Sequence, residues 1–202
     1  MFPNSSIPVI GVTGPTGAGK STIAGHLAAL GCAVIDGDVL AREITLSGSP
    51  TLEILAKQFG EDILDADGNL NRPLLAERAF CSEENRLALN RITHPAITML
   101  AIKQAAGLPP ATPAIAIDAA ALLESGLIQY IDHIVFAEAP ENLRLRRIMA
   151  RDGISEQAAM RRIAAQQEIQ YIPPAGLGHT ILKSEESEMH RHVLSQIMER
   201  FV

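Results

Sequence analysis

The stretch Gly14-Pro15-Thr16-Gly17-Ala18-Gly19-Lys20-Ser21 decides the fold of this chain. It fits the phosphate-loop pattern, in which a glycine and four further residues precede Gly-Lys-Ser or Gly-Lys-Thr. The apolar run at 7–12 leads into it and predicts a short buried strand. Residues 22–30 follow it and predict a helix with Ile23, Leu27 and Leu30 on one face. A strand, a glycine-rich loop and a helix in this order predict a nucleotide-binding site.

Each part of this phosphate loop (14–21) suits phosphate binding. Its glycines let backbone N–H groups turn inward where a Cβ would block the phosphate, and the helix N-terminus adds N–H donors and a partial positive charge. Lys20 is expected to reach the β- and γ-phosphates, and the Ser21 hydroxyl to hold Mg²⁺. A chance match in a glycine-rich turn is the alternative, and the flanking strand and helix weigh against it. The predicted nucleotide-binding residues are Gly14, Pro15, Thr16, Gly17, Ala18, Gly19, Lys20, Ser21 and Thr22.

Length and composition limit the class of protein. The chain has 202 residues, of which 47% are hydrophobic and only 3% aromatic, so the predicted core is mostly aliphatic. The net charge is −6 and there is no long basic run, which argues against a nucleic-acid-binding protein. Cys32 and Cys81 lack metal-type spacing and predict no disulfide framework. Because secretory and membrane-spanning segments are not recognisable, we expect a cytoplasmic protein without a membrane partner.

Further short apolar runs alternate with helical patterns along the chain. They predict four more strands, at 33–36, 114–118, 134–137 and 180–182. This alternation is typical of the α/β class, with a five-stranded parallel sheet covered by helices on both faces. The stretch 72–106 has a helical pattern, in which Pro95 predicts a helix end or a kink near His94.

Acidic side chains follow two of the predicted strands. Asp36 and Asp38 come directly after the second strand, and Asp118 ends the third. Ligands of parallel sheets bind at the carboxyl ends of the strands, so all three are candidates for the nucleotide site. If 36–38 is extended, one of its carboxylates could accept a proton from an attacking hydroxyl; a turn that caps the next helix is equally compatible. Asp118 could contact magnesium or cap the following segment.

Arginines are concentrated in the helix predicted to begin at Pro140. Helical spacing places Arg144, Arg147 and Arg151 on one face. Such a face could bind the transferring phosphates, and a solvated basic face is the alternative. His94, a single histidine beside a proline, is by itself more typical of a structural residue.

Several landmarks in a fixed order extend the phosphate-loop match. They are Val34-Ile35-Asp36-Gly37-Asp38-Val39-Leu40-Ala41-Arg42, Thr93-His94-Pro95-Ala96-Ile97, Leu122-Leu123-Glu124-Ser125-Gly126, and Arg147-Ile148-Met149-Ala150-Arg151-Asp152-Gly153-Ile154-Ser155. With these the chain resembles the dephospho-coenzyme A kinases, of the nucleoside-monophosphate-kinase-like branch of phosphate-loop proteins, over about residues 9–167. The resemblance implies a three-layer α/β/α P-loop NTPase fold in one kinase domain over 1–202. Within it, about 62–106 would be a helical coenzyme-A-binding subdomain and about 147–175 a helical lid.

The resemblance also implies an activity and a set of site residues. The activity is ATP-dependent phosphorylation of the ribose 3′-hydroxyl of dephospho-coenzyme A, the last step of coenzyme A biosynthesis. ATP with Mg²⁺ and dephospho-coenzyme A would be the ligands, and the protein a monomer or weak homo-oligomer. Asp38 would be the catalytic base, assisted by Lys20 and Arg147, while Arg151 would contact the nucleotide. Implied substrate-binding residues are Asp36, Arg42, His94 and Glu124.

The tail departs from the family's pattern. The family has a basic lid residue after the position of Gln166 and an asparagine after the last strand. Here Lys and Arg are absent between Arg162 and Lys183, and Ser184 stands near the asparagine position. We therefore expect Arg147, Arg151, Arg161 and Arg162 to supply the positive charge. Two alternatives stay open: a related small-molecule kinase with a changed acceptor, and a non-catalytic nucleotide-binding homologue.

Overall fold

The computed structural model describes residues 2, 6–164, 166, 172–184 and 187–201. It divides into two compact units. The first consists of Met1–Ile35 with Ala105–Val202, and the second of Asp36–Gln104. The first contains most of the sheet and the phosphate loop, and the second is largely helical.

A five-stranded parallel sheet forms the centre of the first unit. Its strands are β1 (Val9–Thr13), β2 (Ala33–Asp36), β3 (Ile115–Asp118), β4 (His133–Glu138) and β5 (Gly178–Lys183). They lie in the order β2-β3-β1-β4-β5. Strand β1 pairs in parallel with β3 and β4, and β4 with β5, so β1 is central and completely buried. The predicted α/β fold with a five-stranded parallel sheet is confirmed.

Helices complete both units in the described part of the chain. They are α1 (Lys20–Ala29), α2 (Gly37–Glu43), α3 (Pro50–Phe59), α4 (Arg72–Ala79), α5 (Glu83–Ala106), α6 (Glu141–Asp152), α7 (Glu156–Ala164) and α8 (Ser187–Glu199). Short 3₁₀ helices lie at Glu61–Ile63, Leu122–Glu124 and Gly126–Tyr130. None of the helices described here is long and apolar enough to cross a membrane.

The core of the first unit is aliphatic, as the composition predicts. Buried side chains of the sheet pack against those of α1 and α8; among them are Ile10, Val12, Ile23, Leu27, Leu194 and Ile197. A smaller cluster joins α6 to α7 through Ile148, Ala159 and Ile163. This packing fixes α6, which carries Arg144 and Arg147, against α7.

The second unit has its own small core, made by α3, α4, the first 3₁₀ helix and α5. Its buried residues are Leu55, Ala56, Phe59, Ile63, Leu75, Ala79 and Ala88. Two of its helices begin at side-chain caps: Ser49 accepts from the Leu52 N–H and Asn71 from the Leu74 N–H.

Of the two outcomes predicted near His94, the helix end is wrong, and the kink stays a prediction. Helix α5 runs for 24 residues with Pro95 inside it. A proline removes one intrahelical N–H bond, and many other bonds of a long helix remain. Ala88 and Ala101, before and after the proline, are both buried, so packing on either side stabilises the helix across it.

Candidate active site

The phosphate loop connects β1 to α1 and packs tightly against its surroundings. Gly14 and Gly17 have φ angles of 143° and 77°. A Cβ on Gly17 would lie 2.8 Å from the carbonyl oxygen of Arg144, and one on Gly14 would collide with the carbonyl oxygen of Ala137. The two glycines are therefore required by the packing of the loop against α6 and β4, in addition to leaving space for a phosphate.

Lys20 is the first residue of α1, and its side chain lies over the phosphate loop. Its Nζ donates to the carbonyl oxygens of Gly14 at 2.9 Å and Pro15 at 3.3 Å. An ammonium group thus lies beside the loop, next to the positive end of the α1 dipole. This arrangement is able to attract an anionic ligand to the loop.

Ser21 and Asp118 bring two oxygen ligands together beside the loop. The Ser21 Oγ lies 3.5 Å from Asp118 Oδ2, at the carboxyl end of β3. A hydroxyl and a carboxylate are hard oxygen donors of the kind that Mg²⁺ prefers. No cluster of three or more His, Cys, Asp or Glu side chains suited to a metal occurs among the residues placed by the structure. The Ser21 hydroxyl and the Asp118 carboxylate are thus of a kind able to hold a Mg²⁺ ion.

Helix α6 places two arginines against the backbone of the phosphate loop. Arg144 Nε donates to the Thr16 carbonyl at 2.9 Å, and Arg147 Nη1 donates to the Gly17 carbonyl at 3.2 Å. Another guanidinium nitrogen of Arg144, Nη2, is buried and has no hydrogen-bond partner among the described residues. Sequence reasoning noted Arg144 only as part of a basic face, because the spacing along α6 does not reveal a contact with a loop so distant in the chain.

Arg151 has a different environment from the first two arginines of the face. Its Nε lies 2.7 Å from Asp152 Oδ1, and Arg162 pairs with the same carboxylate. The hydrogen bond from Arg151 and the charges of both arginines hold the pKa of Asp152 below its usual range. The predicted face is therefore divided between loop contacts at Arg144 and Arg147 and an ion-pair cluster at its end.

Two further side chains contact the phosphate loop, Gln166 directly before the divergent stretch and Ser184 directly after it. The Ser184 hydroxyl donates to the Ala18 carbonyl at 2.7 Å and accepts from Arg147 Nη1 at 2.8 Å. The Gln166 side-chain oxygen accepts from the Thr16 N–H at 2.7 Å. Sequence reasoning missed both contacts. The available signal for Ser184 was its place just after a parallel strand, at the edge where ligands bind.

In the second unit, the acidic turn (36–38) is a helix cap. Asp36 Oδ1 accepts from the N–H groups of Asp38 at 2.8 Å and Val39 at 3.1 Å. The alternative of an extended segment is therefore wrong, because the first N–H groups of α2 need acceptors that Asp36 supplies. Asp38 lies in the first turn of α2 and is exposed to solvent.

The remaining predicted site residues lie in both units. Arg42, in the last turn of α2, is exposed, and His94, within α5, is half-buried. Glu124 is exposed in a 3₁₀ helix of the first unit. Their roles stay predictions, as does the lid at about 147–175, of which residues 165 and 167–171 lie outside the described part.

The family model and the curated relatives agree on one family. The family model described as dephospho-CoA kinase matches residues 8–171. A dephospho-CoA kinase of Corynebacterium efficiens is 44% identical over 158 residues, which are 78% of this chain and 79% of its own. One of Syntrophotalea carbinolica is 42% identical over 162 residues, 80% of this chain and 77% of its own. A solved Thermus thermophilus structure has a TM-score of 0.75 at 27% identity, covering 96% of this chain and 97% of that one.

Proposed function

The chain belongs to the dephospho-CoA kinase family, and we propose that it transfers the γ-phosphate of ATP to the ribose 3′-hydroxyl of dephospho-CoA. The products are CoA and ADP, and the step is the last one of CoA biosynthesis. The observation that supports a working kinase is the position of two cationic side chains on one loop. Lys20 Nζ contacts the Gly14 carbonyl and Arg147 Nη1 contacts the Gly17 carbonyl.

The phosphate loop binds the triphosphate of ATP. Its backbone N–H groups and the N-terminus of α1 are donors for phosphate oxygens, and Lys20 binds the β- and γ-phosphates. Arg147 adds a second positive charge for the transferring group. Phosphoryl transfer depends mainly on such positioning and charge stabilisation, so this arrangement supplies most of what the reaction needs.

Ser21, with Asp118 beside it, is the proposed site for the Mg²⁺ that accompanies ATP. The 3.5 Å between their oxygens permits a single ion to approach both residues. Bound magnesium neutralises negative charge on the phosphates.

Asp38 is the proposed base. The 3′-hydroxyl gives its proton to the Asp38 carboxylate while its oxygen forms a bond to the γ-phosphorus, and the bond to ADP breaks. Asp36 is less suited to this step, because its Oδ1 already accepts two backbone N–H groups of α2. The contribution of Asp36 is then to fix the position of Asp38 and to contact the substrate.

Further substrate contacts follow the family pattern. Arg151 contacts the nucleotide, and Arg42, His94 and Glu124 contact dephospho-CoA. The helical stretch 62–106 binds the CoA part of the acceptor, and the lid at about 147–175 closes over the nucleotide. These assignments are supported by the positions of the residues in the motifs shared with the family.

The decisive experiment measures ADP release with and without dephospho-CoA, in the presence of magnesium and of EDTA. We expect dephospho-CoA to stimulate ADP release only with magnesium, and the product to carry phosphate on the ribose 3′-oxygen. Stimulation by another nucleoside or sugar instead would establish a changed acceptor. ATP binding without ADP release under any of these conditions would establish a non-catalytic homologue.

A further inference from the structure

Ser184 holds a fixed place beside the phosphate loop. It follows β5 directly, and β5 pairs with β4 in a parallel register that runs from His133↔Gly178 to Glu138↔Lys183. The backbone before Ser184 is therefore held by the sheet. A Cβ on Gly19 would lie 3.2 Å from Ser184 Oγ, so the hydroxyl is packed against the loop itself.

The Ser184 hydroxyl has a defined orientation. A serine hydroxyl has one proton to donate and lone pairs with which to accept. The Ala18 carbonyl is only able to accept, and the Arg147 guanidinium is only able to donate. The hydroxyl proton must therefore point to Ala18 and a lone pair to Arg147, at 2.7 Å and 2.8 Å. Arg147 Nη1 is held at two points, by Ser184 and by the Gly17 carbonyl.

Three consecutive carbonyls of the loop are held from outside it. Those of Thr16, Gly17 and Ala18 accept from Arg144, Arg147 and Ser184, respectively. In a planar trans peptide the carbonyl oxygen and the following N–H point in opposite directions. The structure has no cis peptide bond among its described residues. Fixing the Ala18 carbonyl therefore directs the Gly19 N–H away from Ser184.

We propose that Ser184 is a positioning residue, which orients the Ala18–Gly19 peptide for phosphate binding and fixes the Arg147 guanidinium on the loop. This inference rests on the proposed kinase function. It assigns a role to the part of the chain that departs most from the family: the hydroxyl of Ser184 links the cation of α6 to the loop. Arg147 is thereby oriented before the nucleotide arrives.

The test is a double-mutant cycle of Ser184→Ala and Arg147→Ala, measured on the full-length protein. Two quantities are followed: the dissociation constant of ATP, from calorimetry, and kcat for phosphorylation of dephospho-CoA. Ser184→Ala is expected to weaken ATP binding severalfold and to lower kcat about tenfold, because small displacements of a positioned group reduce rates strongly. In the Arg147→Ala background the same change is expected to lower kcat by less than about twofold, since coupled residues are not additive.

Two variants separate positioning from general stability. Ser184→Thr retains the hydroxyl and is expected to restore most of kcat. Ser125→Ala is the matched control, because the Ser125 hydroxyl also donates to a carbonyl, that of Leu122 at 2.8 Å, and accepts from the Leu127 N–H. It is expected to leave ATP binding, the quantity that this control checks, unchanged.

The proposal would be overturned if Ser184→Ala lowered kcat by the same factor in the wild-type protein and in the Arg147→Ala variant. It would also be overturned if Ser184→Ala bound ATP and turned over like the wild-type protein. Because ATP binding is measured without an acceptor, this arm still gives a result if dephospho-CoA is not the substrate. A failure of the proposed acceptor is thus distinguishable from a failure of the positioning role.

Discussion

The phosphate loop and the acidic turn are held in place by different means. The loop carbonyls of Thr16, Gly17 and Ala18 accept from side chains 128, 130 and 166 residues away in the chain. The carboxylate of Asp36 accepts from N–H groups only two and three residues away. The loop geometry therefore depends on the folding of the whole first unit, whereas the geometry of the turn follows from its local sequence.

This difference has a physical consequence for mutations. Bringing distant residues together costs conformational entropy, which the sheet and its core must offset before the loop contacts form. A local cap needs only the first turn of its helix. Substitutions far from the loop in sequence are thus expected to alter nucleotide binding, while the acidic turn is expected to respond mainly to changes within itself.

The largest effect is expected from Lys20→Ala, within the loop. It removes a charge from the phosphates but no buried side chain, so the fold is expected to persist while kcat falls at least about a thousandfold. Steady-state kinetics and circular dichroism check both parts. Lys57→Ala, which removes an exposed lysine from α3, is the control. Near-wild-type turnover in Lys20→Ala would contradict the phosphate-loop assignment.

The next largest effect is expected in the acidic turn. Asp38→Asn is expected to lower kcat by about two to four powers of ten with a smaller change in ATP affinity, because a base acts mainly in the transition state. Asp36→Asn is expected to do less, since asparagine is also a good N-cap. The comparison requires kcat and KM for both variants. Equal losses at the two positions would point to shared magnesium binding.

Arg147→Ala tests the long-range support of the loop. It is expected to lower kcat about a hundred- to a thousandfold, as for other positioned donors to a transition state. The neighbouring exposed Arg146→Ala is the matched control on the same helix. A double variant of Tyr171→Ala and Ile172→Ala, in the tail segment without arginine or lysine, is expected to lose less. A larger loss of kcat in the double variant would make the tail itself catalytic.

Gly17→Ala tests how closely the loop fits against α6. The new Cβ would lie 2.8 Å from the carbonyl oxygen and 3.0 Å from the Cα of Arg144, at a φ of +77°. We expect a loss of about 1–3 kcal/mol in the free energy of unfolding, measured with urea. Gly25→Ala, in α1 with nothing within 4 Å of its Cβ, is expected to gain about 0.5–1 kcal/mol. Equal stability of both variants would mean that the loop is not tightly packed.

The smallest expected effect is a pH dependence of stability from His133, which contacts the strand before Ser184. His133 is buried in β4 and its Nε2 lies 2.9 Å from Thr180 Oγ1 of β5. Burial, with the charge of Arg200 and then that of His179, lowers the pKa of His133. Just below the ordinary histidine pKa of about 6.5, His133 is protonated in the unfolded chain but still neutral in the folded one. The neutral, buried His133 therefore contributes to the free energy of unfolding above that pH, and this contribution is lost as the pH falls.

Urea unfolding at several pH values between 5 and 8 checks this sign. His133→Gln is expected to flatten the fall in stability toward acid pH. His192→Gln, at an exposed position, is the control and is expected to leave it unchanged. A wild-type protein that is more stable at pH 5 than at pH 8, with the trend removed by His133→Gln, would contradict the direction of the shift.

At two places the sequence left two local outcomes open, and the structure decided between them or excluded one. Pro95 indicated a helix end or a kink, and the end is excluded because α5 continues through the proline. For 36–38 an extended segment and a helix cap were equally compatible with the sequence, and the cap is confirmed because Asp36 accepts the first N–H groups of α2. In both cases a residue type has a known local preference, and the hydrogen bonds and packing of the neighbouring helix decided which conformation forms.

Much of the fold was determined by the sequence itself, because it depends on patterns a few residues long. Short apolar runs predicted the five-stranded parallel sheet, and the ordered motifs predicted the family that the match over 8–171 confirms. The tertiary structure alone decided which distant side chains hold the loop. Arg144, Gln166 and Ser184 have no motif in common with it, and they reach it only because the sheet and the packing of α6 bring separate segments together.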